Sequence, residues 1–490
     1  MTHTTPGSLI CDFYKISHKP QYPDGTEFVL STWTPRSNTH YPALSSVVAF
    51  GFQGMITKIL VDYFNEGFFS RRLDEVLAEY VSYVHHCLGA ENVSRDHLVD
   101  LHDLGYLPLE IKAVPEGTRV PCGVPMLTVR NTDPRFFWLT NYIETASSAE
   151  MWMPSTAATI ADQYKSILIS YAKSTGGDVD FVPFQAHDFC MRGMVGLEAS
   201  ALAGSGHLLS FVGTDTIPAI SYLQRYYNAD ITKELVGCSV PATEHSVMCA
   251  GGVDDEFGTY KRLITEVYPS GIVSIVSDTW DLFECINSHI RTLKPEIMAR
   301  DGKVVIRPDS GDPVDIICGD QSAPEGSLER IGVISLLWDI FGGKTNDSGF
   351  KELDSHIGAI YGDSITPERC EAICRRLKDK GFASTNVVFG VGSYTYQYNT
   401  RDTFGFAMKS TAVVINGEER AIFKDPKTDD GTKKSNTGGV AVQRTQDGSL
   451  VCVDGLPINH DEPDVMRTIF LNGELVVNDT LANIRRTLAG

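Results

Sequence analysis

No two of the 11 cysteines stand in a C-x-x-C spacing, and their count is odd. Neither a disulfide framework nor a zinc cage is expected from such a set, and reduced thiols in a cytoplasmic protein are the reading it supports. Cys370 and Cys374 are spaced as neighbours on one helix face. The first residues, MTHTTPGSLICDFYKISHK, contain no apolar stretch of the kind that directs secretion, so export is not expected. No apolar run approaches the roughly 20 residues a membrane helix needs. Positive charge is also scarce, with 42 Lys and Arg against 62 Asp and Glu and a formal net charge of −20. Bulk binding to nucleic acid or to an anionic membrane is therefore not expected, and an anionic ligand would need locally assembled positive charge. Low-complexity segments are missing too.

What the chain has is length and apolar content: 490 residues, 42% of them hydrophobic, enough for a large barrel with additions or for two to three domains. Between residues 180 and 395, short β-prone runs end on polar residues. FVPFQA leads to His187-Asp188, LLSFVG to Thr214-Asp215, GCSVPA to Glu244-His245, and GIVSIV to Ser277-Asp278. KVVIRP leads to Asp309-Ser310, IGAIYG to Asp363-Ser364, and NVVFGV to Gly392-Ser393. The ends recur about every 30 residues, the length of one strand-plus-helix unit, apart from one longer step that contains an insertion near 318–355. TWDLFECINSHIRTLKPEIM has helical periodicity, and Thr366-Pro367 is a helix-start signal followed by Gly381. Strands alternating with helices imply an α/β fold, an irregular parallel (β/α) barrel over residues 151–398.

The flanks read differently. EIKAVPEGTRVPCGVPMLTV, at 110–129, reads as strands with Pro/Gly turns, and after residue 400 Asn416-Gly417 marks a hairpin. Residues 1–150 and 399–490 are expected to share one β-rich domain, with two helices at about 135–152 and 155–175.

A barrel of this kind carries its chemistry at the C-terminal strand ends. That rim collects Asp188, Asp215, Glu244, Asp278, Asp309 and Asp363, the histidines His187 and His245, Arg307, and the glycines Gly362, Gly390 and Gly392. Gly-rich turns suit a phosphate, carboxylates suit Mg²⁺, ribose hydroxyls or developing positive charge, and a histidine among carboxylates suits proton transfer or nucleophilic attack. A single strand-end Asp is more often a helix cap than a catalytic group. The residues alone indicate a barrel enzyme acting on a phosphorylated small molecule.

Several stretches resemble the nicotinamide phosphoribosyltransferases of the type II phosphoribosyltransferase family. They are DFYKISHKPQYP (12–23), EIKAVPEG (110–117), NTDPRFFWLTNYIET (131–145), HDFCMRG (187–193), GTDT (213–216), SVPATEHS (239–246), VSDTWD (276–281), IRPDSGDP (306–313), YGDS (361–364), TRD (400–402) and FKDP (423–426). They occur in the family's order and cover nearly the whole chain. The resemblance implies a homodimer with the active site at the subunit interface, joining nicotinamide to phosphoribosyl pyrophosphate with Mg²⁺ and with ATP as a coupled substrate. Phe189, and Tyr14 from the second subunit, would sandwich the pyridine ring. Asp215 would accept from the carboxamide NH2, and Arg307 would reach its oxygen and the phosphates. Asp309 would hold the ribose beside Gly362 and Asp363, and Gly392 and Ser393 would cradle the 5′-phosphate. Arg192, Arg36, Arg401, Lys409 and Lys424 would add positive charge. His245 would be phosphorylated by ATP, with Asp278 and Glu244 orienting its ring. The sequence departs from the family's usual pattern at Cys190-Met191, Ser393, Ala407 and Phe13. The nicotinate phosphoribosyltransferases are the alternative, which Asp215 disfavours; a non-catalytic nucleotide-binding barrel is a second.

Overall fold

The computed structural model describes residues 5–89, 94–362, 364–423 and 435–490. The chain forms two compact units, one of residues 160–221 and 230–398, the other of residues 1–159, 222–229 and 399–490.

The first of these holds six parallel strands: β1 (Ala186–Asp188), β2 (Gly213–Thr214), β3 (Ser270–Val276), β4 (Asp301–Arg307), β5 (Ile357–Tyr361) and β6 (Val387–Val391). Their order is β2-β1-β6-β5-β4-β3. All five residues of β5 are buried, as expected of a parallel strand covered on both faces. The register levels the C-terminal ends: Val276 pairs with Arg307, Tyr361 with Phe389, Val391 with Asp188, and Asp188 with Thr214. The two edges do not pair directly. Cys238 bridges to Gly213 of β2 and Ala242 to Ser274 of β3, so the segment between them joins both edges and gives the barrel its irregular closure. Pro241 lies in that segment and has no N–H to donate, which keeps it from becoming a regular strand.

The covering helices follow ordinary rules. Thr366 caps Pro367–Asp379 by accepting from Arg369 N, and Gly381 follows with a positive φ. Cys370, Ile373, Cys374 and Leu377 form its buried stripe, so the paired cysteines are core residues. The 318–355 stretch is structured: helix Val333–Phe341 buries six of its nine residues, and strands Gly343–Thr345 and Lys351–Leu353 pair as a hairpin.

The other unit is built on a seven-stranded antiparallel sheet that draws on both ends of the chain, with Thr26–Pro35 lying between Phe406–Ile415 and Leu127–Asn131. Trp33 stacks on Phe406 at 4.4 Å, and both are fully buried. Asn416 and Gly417 take the positive φ values that a tight hairpin needs. The two helices expected near 135–175 are instead one, Glu144–Ser174, running through Pro154. Pro154 packs against Gly51, where a Cβ would come within 2.5 Å of its ring. Packing of this kind offsets the one backbone bond the proline forfeits.

Glu116, in EIKAVPEG, is buried in this unit. Burial pushes its pKa up to about 7, against the pull of hydrogen bonds from Gln53 N, Gly51 N and the Tyr227 hydroxyl. Unfolded, the group returns to its ordinary value of 4.5. Between these values the folded chain holds the extra proton, so stability falls as pH rises from about 4.5 to about 7 and levels off above. Denaturant unfolding of Glu116→Gln at pH 5 and pH 8 is expected to lose less stability across that interval than the parent, by on the order of 3 kcal/mol.

Candidate active site

The C-terminal rim of the barrel is built strand by strand. β1 ends in His187-Asp188, followed by Phe189. Asp188 is fully buried; its carboxylate accepts from Cys190 N at 2.9 Å and from the Thr214 hydroxyl at 3.2 Å. It therefore ties β1 to β2. Phe189 N donates to Val391 O of β6 at 2.9 Å. The Phe189 ring lies 4.6 Å from the His187 ring, and the Arg307 guanidinium carbon lies 5.3 Å from its centroid. Gly390 makes room for this ring, since a Cβ there would approach it to 2.8 Å.

Asp215 follows β2, its backbone N–H bonded to Asp188 O. Its Oδ1 accepts from His187 Nε2 at 2.9 Å and from Ser239 Oγ at 2.5 Å, and the side chain remains 46% exposed. Burial acts to raise its pKa, but the His187 and Ser239 hydrogen bonds and the charge of Arg307 outweigh this and leave it below the ordinary value. Asp215 is thus a carboxylate at neutral pH.

Arg307 ends β4. Its Nη1 donates to Thr243 O at 3.4 Å, while its buried Nε has no hydrogen-bond partner among the described residues. Asp309 N donates to Asp278 Oδ2 at 2.8 Å, joining the turns after β3 and β4. Gly362 sits against both, since a Cβ there would lie 2.5 Å from Asp309 Oδ1 and 3.2 Å from Arg307 Nε. Any larger residue would push these side chains aside.

His245 opens the helix His245–Ala250 and is 46% exposed. Its Nδ1 is 3.3 Å from the Thr279 hydroxyl, and its Nε2 is 3.9 Å from Asp278 Oδ1, a buried oxygen without a hydrogen-bond partner among the described residues. Glu244 faces elsewhere, accepting from Ser246 Oγ, and among the described residues no hydrogen bond joins it to His245. Gly392 and Ser393 start a short helix after β6, next to the turn bearing Arg192: a Cβ on Gly193 would collide with Ser393 Oγ.

The rim therefore brings together Phe189, Asp215, His245, Asp278, Arg307, Asp309 and Gly362. Tyr14, Arg36, Arg401 and Lys409 belong to the other unit. Tyr14 is exposed on helix Phe13–Ile16, Arg36 Nε donates to Gly405 O at 2.9 Å, Arg401 bonds Asp402, and Lys409 lies opposite Thr32 in the sheet. Asp363 and Lys424 lie outside the described residues.

Residues 184–472, more than half of the chain, match the nicotinate phosphoribosyltransferase (NAPRTase) family. The chain belongs to that family. Residues 8–111 match a second description, the N-terminal domain of nicotinamide phosphoribosyltransferase. A nicotinamide phosphoribosyltransferase of Acinetobacter baylyi is 51% identical over 98% of this chain and 96% of its own, and one of Xanthomonas campestris pv. campestris is 34% identical over 97% of each. Among solved structures, a nicotinate-nucleotide pyrophosphorylase from Pyrococcus furiosus superposes with a TM-score of 0.58 at 15% identity, covering 99% of this chain and 94% of its own. Human nicotinic acid phosphoribosyltransferase superposes at 0.53, again at 15% identity, over 98% of this chain and 93% of its own. At such identities these two structures bear on the fold alone. This member of the nicotinate phosphoribosyltransferase family has a parallel barrel unit and an antiparallel β-rich unit. No helix among its described residues is long and apolar enough to cross a membrane.

Sequence reasoning passed over Ser239, Thr243 and Thr279 as working parts of this rim. All three lie inside stretches that carry the resemblance, SVPATEHS and VSDTWD, which was the available signal.

Proposed function

We propose that the chain is a pentosyltransferase that transfers the phosphoribosyl group of phosphoribosyl pyrophosphate to nicotinamide, yielding nicotinamide mononucleotide and pyrophosphate. Its relatives' names support this reading, as does the match of residues 8–111 to a nicotinamide-specific domain. The observation that carries it is Asp215: an ionised carboxylate at the rim, with Oδ1 taken and no hydrogen bond to Oδ2 among the described residues, accepts from an amide NH2 and repels a carboxylate. The same feature disfavours nicotinate as the acceptor.

In this reading the pyridine ring stacks on Phe189, with Tyr14 of a second subunit on its other face in a homodimer. The ring nitrogen attacks C1 of the ribose; the C1–O bond to pyrophosphate breaks, and positive charge passes through the sugar to the pyridinium. Asp309 binds the ribose and stabilises that charge, and Arg307 holds the amide oxygen. Gly392, Ser393 and Arg192 receive the 5′-phosphate, while Arg36, Arg401, Lys409 and Lys424 meet the pyrophosphate from the partner.

Among the described residues no group of three or more His, Cys, Asp or Glu is placed to hold a metal ion. Asp309 and Asp278, whose Oδ1 has no hydrogen-bond partner among the described residues, would hold a magnesium ion brought with the substrate's pyrophosphate. Such an ion would neutralise charge on the leaving group. ATP enters through His245: a ring nitrogen attacks the γ-phosphate, ADP leaves, and water later cleaves the P–N bond. The Asp278 carboxylate and the Thr279 hydroxyl orient the imidazole for this step. Glu244 accepts from Ser246 on one oxygen, and among the described residues no hydrogen bond joins it to His245.

Kinetics of Asp215→Asn with both bases test the assignment. The neutral side chain is expected to lower kcat/KM for nicotinamide and raise it for nicotinate, narrowing the preference by about tenfold or more. An unchanged preference would remove Asp215 from the specificity site.

A further inference from the structure

The charge of Asp215 repels a carboxylate, but charge does not fix which of its oxygens faces an amide. A free carboxylate rotates and offers either oxygen, so a single acceptor aimed at the substrate requires that the other oxygen be held. Here Oδ1 takes both His187 Nε2 and Ser239 Oγ, from opposite sides in the sequence. We propose that His187 and Ser239 form a clamp that fixes the Asp215 carboxylate with one oxygen presented to the amide, making His187 a positioning residue for base selection. This inference rests on the function proposed above.

Several observations support the clamp. An ionised Asp only accepts, so His187 must carry its proton on Nε2. The imidazole has little room to turn away. It lies against the Phe189 ring at 4.6 Å, and β1–β2 pairing sets it opposite Gly213, where a Cβ would come within 2.8 Å of its Nδ1. GTDT thus needs its glycine to seat the histidine that holds its aspartate. Ser239 comes from the irregular segment that joins the barrel edges, so the clamp also spans that closure. The charged and titratable groups facing Asp215 are His187 and Arg307. Attack by the pyridine nitrogen releases no proton, so the pair is not needed as a general base.

The test is steady-state kinetics of the parent, His187→Ala, His187→Gln and Ser239→Ala, with nicotinamide and nicotinate over a pH series, each variant checked by thermal melting. A parent that fails to turn over nicotinamide defeats the functional reading itself, whatever the variants do. Given parental turnover, His187→Ala is expected to raise KM for nicotinamide about tenfold with kcat within about twofold. Its acid limb of kcat/KM should move to higher pH, because Asp215 loses a donor that holds its pKa down. Glutamine can place an N–H near the former Nε2 and should restore most of the loss. Ser239→Ala removes the other donor, leaves the ring in place and should raise KM a few-fold, so the clamp stays testable if His187→Ala does not fold. An unchanged KM and acid limb in His187→Ala, or in Ser239→Ala where the former is unfolded, would overturn the proposal. So would a glutamine variant no better than alanine.

Discussion

Arg307→Ala is expected to lower kcat/KM for nicotinamide by about 10²- to 10³-fold, the cost of removing one preorganised donor from a charge-developing site. Arg307 has several tasks at once. Its guanidinium lies over Phe189, its charge helps keep Asp215 ionised, and its buried Nε has no hydrogen-bond partner among the described residues. A buried donor left unsatisfied is costly, so an unspent N–H at the rim is best explained by a substrate acceptor. Arg307→Lys keeps the charge and loses the planar fork, so it should recover only part of the loss. Initial rates with nicotinamide and phosphoribosyl pyrophosphate varied separately provide the check. A loss smaller than about threefold would place Arg307 outside the site.

The second large effect concerns ATP. His245→Ala should abolish ATP-stimulated turnover and leave a lowered but measurable basal rate, because the proposed function assigns the histidine to the coupled phosphate and not to the attacking pyridine. With ATP labelled in the γ-phosphate, the parent should acquire an acid-labile label and the variant none. The geometry favours this role: His245 is half exposed at a helix start, with the Thr279 hydroxyl on one nitrogen and, near the other, an Asp278 oxygen that has no hydrogen-bond partner among the described residues. Equal stimulation in the variant would show that ATP does not act through His245.

Legibility of the fold in the sequence tracked burial. GIVSIV, KVVIRP, IGAIYG and NVVFGV all became strands. IGAIYG and NVVFGV are buried almost throughout, as parallel strands covered on both faces are, while the start of GIVSIV and alternate residues of KVVIRP stay partly exposed. FVPFQA and LLSFVG were only partly legible. Val179–Phe184 is a 3-10 turn containing Pro183, and β2 shrinks to two residues after a helix that ends at His207. GCSVPA contributes isolated bridges because Pro241 interrupts the ladder. Pro154 misled in the opposite direction: it marks a helix boundary by propensity, but a helix held by tertiary packing absorbs it. At the site, charged residues in motifs were visible, while their partners were not. Ser239 has no signature of its own, and His187 and Asp215 lie 28 positions apart, so their bond is a product of strand register. Glu244 was read as a partner of His245 from adjacency alone, and its carboxylate turns to Ser246 instead.

The most direct measurement is nucleotide and pyrophosphate formation by the unaltered chain, supplied with phosphoribosyl pyrophosphate and either nicotinamide or nicotinate. Nicotinamide is expected to be converted with a kcat/KM well above that for nicotinate. Conversion of nicotinate alone, or of neither base, would contradict a rim built around Asp215 to receive a pyridine amide.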